Sequence, residues 1–259
     1  MPDSVLRSAA NGVLTLTLNR PEALNSFTVD MKEELLKALK EAARDKDVRV
    51  LILTGAGRAF SAGQDLKERQ APGVADLGTE LRVRYNPIIL AMKRLEKPIV
   101  GAVNGVAAGA GISLALACDI VIAAENATFI EAFSRVGLVP DTGSTWFLPR
   151  LVGAPRAAEM MFTADPVDAT TAERIGLINR VVPAESLMQE AGAFAARLAK
   201  SAPIALALAK RALNRAYEMN LEQALDYEAQ LQSVAGRSND HKEGVAAFVE
   251  KRAPDFKGD

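Results

Sequence analysis

Two segments place small residues where a backbone can do chemistry. Residues 55–66 read Gly-Ala-Gly-Arg-Ala-Phe-Ser-Ala-Gly-Gln-Asp-Leu, and residues 104–111 read Asn-Gly-Val-Ala-Ala-Gly-Ala-Gly. Each follows an apolar, β-rich run. Glycine lets a main chain approach a ligand closely, and N–H groups at a helix start favour developing negative charge. Two such N–H groups aimed at one oxygen would form an oxyanion hole. From the residues alone, ordinary tight turns and close helix–sheet packing explain the same glycines at least as well. Two carboxylates stand near such turns. Asp65 opens the capping-box spacing Asp65-Leu-Lys-Glu68, and Asp141 lies in Gly137-Leu-Val-Pro-Asp-Thr-Gly143, where a turn or helix cap is its ordinary role.

Much other chemistry is missing. A lone histidine, His241, removes most zinc and Ser-His-Asp chemistry, and a lone cysteine, Cys118, excludes an intrachain disulfide. His241 sits in a polar run and reads as a surface or helix-entry residue, whereas Cys118 ends an apolar helix and reads as a structural thiol. No Gly-x-Gly-x-x-Gly, P-loop lysine or Gly-x-Ser-x-Gly occurs: Phe60 and Leu114 stand where third glycines would be. The 259 residues carry 31 basic and 32 acidic groups, so there is no global field for nucleic acid or an anionic membrane. Hydrophobic and charged fractions of 49% and 24% exclude general disorder. The reducing cytosol suits this cysteine usage, and no signal pattern opens the chain. Residues 98–118 carry no charge but are rich in Gly and Ala and include Asn104 and Ser113. They are expected to form buried strand, loop and helix rather than a membrane span.

The elements that must hold these turns alternate. Period-two and β-branched patterns predict strands over 12–19, 48–54, 99–103, 119–124, 127–130 and 178–182. Helices are predicted over 28–44, 80–95, 109–118, 144–152 and 155–162, with a loose polar loop over 70–79. Beyond Pro183 only helices are expected, over 184–200, 203–217, 221–235 and 240–252. The pattern is an α/β core followed by a helical region, divided here as 1–200 and 201–259. The stripe Leu206, Ala209, Leu213 and Tyr217 reads as packing, within the subunit or between subunits.

In order, residues 55–66, 97–111, Ala117-Cys-Asp119, 136–143, 172–179 and 243–252 resemble the enoyl-CoA hydratase/isomerase (crotonase) family over nearly the whole chain. The resemblance implies an α/β spiral of repeated ββα units with a helical C-terminal region that helps build homotrimers, often paired into hexamers. It implies an acyl-CoA thioester substrate whose carbonyl sits in an oxyanion hole. By position, the donors are the backbone N–H groups of Ala62 and Ala110, the latter an alanine where the family commonly has glycine. Gly63, Gln64 and Asp65 beside the first donor, and Gly109 beside the second, are placed at the substrate. Leu24, Phe27, Leu66, Phe133 and Trp146 are candidates to line an acyl or aromatic pocket, although apolar residues are core by default. Arg82 and Arg84 read as a solvated helix face. No metal or redox cofactor is implied, since CoA arrives with the substrate, and neither nucleic acid nor membrane is an expected partner.

The reaction depends on the acid/base groups. Family hydratases use two glutamates to deliver water; the aligned positions here are Ser113 and Phe133, and neither replaces a carboxylate. Glu131 lies two residues from the second position, but the spacing to Gly137 argues against a slipped alignment. An Asp at 141, followed by Thr-Gly-x-Thr-Trp146 and Leu148-Pro-Arg150, resembles the isomerases of bacterial phenylacetate catabolism. These convert a ring-epoxide of phenylacetyl-CoA to its oxepin form and shift enoyl-CoA double bonds. The expectation is an acyl-CoA isomerase with Asp141 as proton shuttle. An enoyl-CoA hydratase and a non-catalytic binding member are the rivals.

Overall fold

The computed structural model describes residues 3–70 and 76–259. The first strands, β1 (Val5–Ala10) and β2 (Val13–Leu18), form an antiparallel hairpin. Helix α1 (Val29–Arg44) follows, capped by the Thr28 hydroxyl, which accepts from the Met31 N–H. Three strand–strand–helix passes come next. Strands β3 (Val50–Gly55) and β4 (Ala59–Ser61) precede α2 (Leu66–Arg69), α3 (Leu77–Glu80), a π-helical turn (Leu81–Tyr85) and α4 (Asn86–Arg94). Strands β5 (Ile99–Val103) and β6 (Val106–Ala108) precede α5 (Ala110–Ala117), and β7 (Ile120–Ala124) and β8 (Thr128–Ile130) precede α6 (Ser144–Val152).

In each pass the first strand joins a large sheet and the second joins a small one. The large sheet runs β1-β2-β3-β5-β7-β10 and the small one β4-β6-β8-β9, with β9 (Val167–Asp168) and β10 (Arg180–Val182) arriving after α7 (Ala154–Thr163). This is a spiral of ββα units. β3 and β5 are buried along their whole length, which is why both read as unbroken apolar runs. The stretch 98–118 resolves into β5, β6 and α5, all buried except the entry to β6.

Strands β1, β4, β6 and β9 and helix α8 (Ala169–Arg174) fall outside the sequence expectation. The short ones carry too few residues for periodicity to register, and β1 is exposed over most of its length. Within the expected loop at 70–79, residues 71–75 lie outside the described residues, while Leu77–Glu80 forms a helical turn capped by Asp76.

After β10, α9 (Leu187–Ala199) packs Leu187, Ala191, Ala195 and Ala199 against Val50, Ile52, Val100 and Ile122 of the large sheet. Helices α10 (Pro203–Ala216), α11 (Leu221–Ala235) and α12 (Asn239–Glu250) complete the chain. Lys210 of α10 ties this region down: its Nζ donates to Asp119 Oδ2 at 2.6 Å and to the Lys97 carbonyl at 3.0 Å. No single described helix is long and apolar enough to cross a membrane; α9 and α10, apolar enough together, meet at a bend of 106°.

Candidate active site

The two glycine-rich turns abut. A Cβ on Gly111 would lie 2.2 Å from the Ser61 carbonyl oxygen, and one on Gly63 would lie 2.7 Å from the Ala108 carbonyl oxygen and 3.2 Å from the Ala110 nitrogen. Gly63 also has φ +88°, a left-handed conformation that a side chain would strain. Glycine at these positions lets the chain leaving β4 lie directly against the start of α5.

This contact brings together two main-chain donors, one of them at an unexpected residue. Ala62 N–H donates to the Leu24 carbonyl at 2.9 Å, so it is committed to the fold and is not an available oxyanion donor. Leu24 takes a left-handed φ of +51° beside the fully buried Asn25, whose amide nitrogen donates to the carbonyls of Ala56 and Ala59 at 2.8 Å each. Leu24 thus holds the turn through its backbone. Among the described residues, the N–H groups of Gln64 and Ala110 have no partner, an uncommon state for backbone donors lining a cavity. Ala110 begins α5 without a positive φ, so its alanine side chain costs nothing there.

Gln64 is held at every side-chain polar atom. Its Oε1 accepts from Lys32 Nζ at 3.1 Å and from the Tyr85 hydroxyl at 2.7 Å, while its Nε2 donates to the carbonyls of Phe27 and Asp65 at 3.1 and 3.2 Å. Lys32, 1% exposed, also pairs with buried Glu80, which bonds Arg84 on its other oxygen. Burial pushes the Glu80 carboxyl up, but the two cations outweigh it and hold Glu80 below the ordinary range. Tyr85 stacks edge-on against Phe27 with ring centroids 5.9 Å apart; burial, reinforced by the charge of Asp141, raises its hydroxyl well above the usual value.

A cavity of about 170 Å³ opens beside these donors. Gln64, Leu66, Gly109, Ala110, Phe133 and Asp141 line it, as does Ala62; Tyr85, Leu81 and Leu138 close much of the remainder. Burial raises the Asp141 carboxyl above its ordinary range, opposed by a hydrogen bond from the Thr142 hydroxyl at 2.7 Å. Thr142 adopts φ +53°, costly for a β-branched residue, at the turn that presents Asp141.

Several candidates lie elsewhere. Trp146 sits edge-on to Phe147 with centroids 5.0 Å apart and under the Arg150 guanidinium; it faces the groove between α4 and α10 and does not line this cavity. A helical turn separates it from Asp141, so α6 carries its side chain away. Asp65 caps α2 and pairs with Arg20 at 2.9 Å; burial pushes its carboxyl up, yet that pairing and the helix N–H groups hold it below the usual range. Gly63 lies behind the donors, and Phe27 is core.

Ser113 and Phe133 also explain themselves. Phe133 is an apolar wall, while Ser113 is buried with its Oγ 2.9 Å from Ser144 Oγ. In sequence Lys32 and Tyr85 look like ordinary members of the predicted helices over 28–44 and 80–95, and only their burial marks them.

A family model described as enoyl-CoA hydratase/isomerase matches residues 8–259. The chain belongs to the enoyl-CoA hydratase/isomerase family. It is 46% identical to the 1,2-epoxyphenylacetyl-CoA isomerase of Escherichia coli K12 over the full length of both chains. It is 45% identical to a Rhodobacter capsulatus protein named probable enoyl-CoA hydratase, over 96% of each. The crystal structure of an enoyl-CoA hydratase from Bacillus anthracis superposes with a TM-score of 0.94 at 36% identity, covering 99% of this chain and all of that one. The crotonase fold and the enzyme class are thereby shared. Relatives at nearly equal identity carry isomerase and hydratase names, so the site residues must distinguish the two activities.

Proposed function

We propose that the protein is an acyl-CoA isomerase that moves a proton through a thioester enolate, acting on a ring epoxide of phenylacetyl-CoA or on an enoyl-CoA. The observation that carries this reading is one burial-raised carboxyl, Asp141, in a cavity lined also by Gln64 and Ala110, whose N–H groups have no partner among the described residues. The thioester oxygen is placed between those two amides, each contributing on the order of 3 kcal/mol to the enolate-like transition state. With the enolate so stabilised, Asp141 takes a proton from one carbon and returns it at another. Its raised pKa brings it closer to that of a useful base near neutral pH.

The cavity walls favour isomerisation over hydration. Delivery of water needs a second acid or base at the substrate, and the two positions where the family's hydratases carry glutamate hold a hydrogen-bonded serine and a phenylalanine. A volume of about 170 Å³ suits a six-membered ring, since a dry protein cavity of about 150 Å³ takes benzene. The E. coli relative's name supports the same acyl group. The largely exposed apolar residues Leu213, Tyr217, Leu221 and Phe248 of the helical region support self-association as a trimer or hexamer.

An acyl-CoA panel comparing crotonyl-CoA hydration with 3-enoyl-CoA and epoxyphenylacetyl-CoA isomerisation tests the reading. Isomerisation that collapses in Asp141→Asn is the expected result. Fast hydration that survives this substitution overturns it.

A further inference from the structure

A second carboxyl lies behind the cavity wall, and no step so far uses it. Glu131 follows β8 and is fully buried, yet no cation pairs with it among the described residues. Its Oε1 is 2.7 Å from Ser144 Oγ, whereas its Oε2 has no hydrogen-bond partner. Ser144 Oγ is 2.9 Å from Ser113 Oγ, which in turn lies 3.1 Å from the carbonyl oxygen of Asp141 and 3.2 Å from that of Gly109. A continuous line of hydroxyls therefore runs from Glu131 to the main chain of Asp141.

We propose that Glu131 is a positioning residue for Asp141: in its protonated form it heads a one-way chain of hydrogen bonds, through Ser144 and Ser113, that fixes the Asp141 backbone. The inference rests on Asp141 being the proton shuttle.

Counting hydrogens decides the direction of the chain. With a proton on Oε1, Glu131 donates to Ser144, Ser144 donates to Ser113, and the single hydrogen of Ser113 is left for the carbonyl of Asp141 or of its neighbour Gly109. The bare Oε2 is then a carbonyl-type oxygen, the least costly polar atom to bury without a partner. When Glu131 ionises, Ser144 must turn its hydrogen to the carboxylate. The hydrogen of Ser113 is then drawn to Ser144, its nearest and now most polarised acceptor. The carbonyls of Asp141 and Gly109 lose that hydroxyl, keeping among the described residues only the N–H groups of Ser144 and Ser113 at 3.0 and 3.3 Å. An ionised, half-satisfied carboxylate in this setting is also expensive.

The surroundings favour the proton. Burial, with the charge of Asp141 adding to it and the Ser144 hydrogen bond opposing it, pushes the Glu131 carboxyl up to about 7. Asp141 faces it from the loop before α6, while α5 and α6 face it with Ser113 and Ser144, which do not titrate near neutral pH. Asp141 must be ionised to accept a proton and Glu131 must be protonated to hold it in place, so kcat should rise and then fall across neutral pH.

The test is kcat and KM for 3-enoyl-CoA isomerisation from about pH 5 to 9 in wild type, Glu131→Gln, Ser144→Ala and Asp141→Asn. The glutamine is isosteric and cannot ionise, so whichever way its amide points, its hydrogen-bond direction is frozen. The expected result is loss of the alkaline limb in Glu131→Gln with KM unchanged. Ser144→Ala should lower kcat by about 10-fold with KM within about 2-fold. An alkaline limb retained in Glu131→Gln, a wild type without such a limb, or a Ser144→Ala effect confined to KM or stability overturns the proposal. Asp141→Asn separates the two levels. If that variant stays active, the proton-shuttle reading itself fails; if it is inactive while Glu131→Gln matches wild type at every pH, only the role of Glu131 fails.

Discussion

Gln64 and Asp141 line the same cavity, but their surroundings differ in kind. Around Gln64 every side-chain polar atom is bonded, and a buried Lys32–Glu80 pair anchors the arrangement. Around Asp141 a single hydroxyl donates to the carboxyl, the following residue is strained, and a second carboxyl lies nearby with one oxygen bare. The donor side is over-determined, as befits dipoles that must not reorganise when charge develops. The carboxyl side is under-satisfied, which keeps a proton exchangeable. Stability should therefore be concentrated on one side and catalysis on the other.

The strongest challenge to this contrast is Asp141→Asn. We expect kcat to fall by about 10²–10⁴-fold, with stability at neutral pH unchanged or improved, because a buried charge is removed. A comparable loss of stability in urea melts would erase the distinction. Lys32→Met should do the reverse. Breaking a buried pair is expected to cost about 3 kcal/mol in chemical denaturation, with isomerase kcat reduced far less than in Asp141→Asn.

The pH dependence of stability sharpens the comparison further. Glu131 is raised to about 7 from an ordinary 4.5, so between those values the native state holds a proton that the unfolded chain has lost. Its contribution is fully present below about pH 4.5 and is lost as pH rises towards 7, on the order of 3 kcal/mol in all. Asp141, also raised, acts in the same sense. Asp65 and Glu80, held low, contribute above their unfolded pKa values and lose that stability only in more acid solution. Thermal melts should thus show wild type losing stability from about pH 5 to 7, with a shallower slope in Glu131→Gln. The smallest effect is expected for Tyr85→Phe, which removes one of two donors to Gln64 Oε1. About 1 kcal/mol of stability and a few-fold loss of kcat are anticipated, measured by urea melts and steady-state kinetics.

The sequence makes the long buried strands, the two glycine turns and Asp141 legible because each leaves a local mark, whereas the short second strands β4 and β6 do not. Long apolar strands, paired glycines and a carboxylate in a Pro-Asp-Thr-Gly turn are visible without tertiary information. The first donor is not legible in the same way. Ala62 and Gln64 lie on either side of the left-handed Gly63, and only the Leu24 carbonyl, contributed by a distant left-handed turn, decides which N–H remains available. Trp146 fails for a related reason: one helical turn past Asp141, the rotation of α6 takes its side chain to another face. Lys32 and Tyr85 look like members of ordinary amphipathic helices until α1 and the π-helical turn meet over Gln64. Glu131 shows the limit of alignment by spacing. It is not at a hydratase position, but its burial beside Ser144 gives it a place behind the reacting carboxyl.

The direct main-chain contact at Gly63 and Gly111 has a consequence for how this scaffold can diversify. The spacing of the two amides is set by backbone touching backbone, so it is insulated from the identity of the side chains that meet the acyl group. Leu138, Phe133 and Leu81 can be exchanged to admit longer, shorter or more polar acyl groups without detuning the enolate cradle. A directed library confined to those three positions is the economical route to new thioester preferences on this chain.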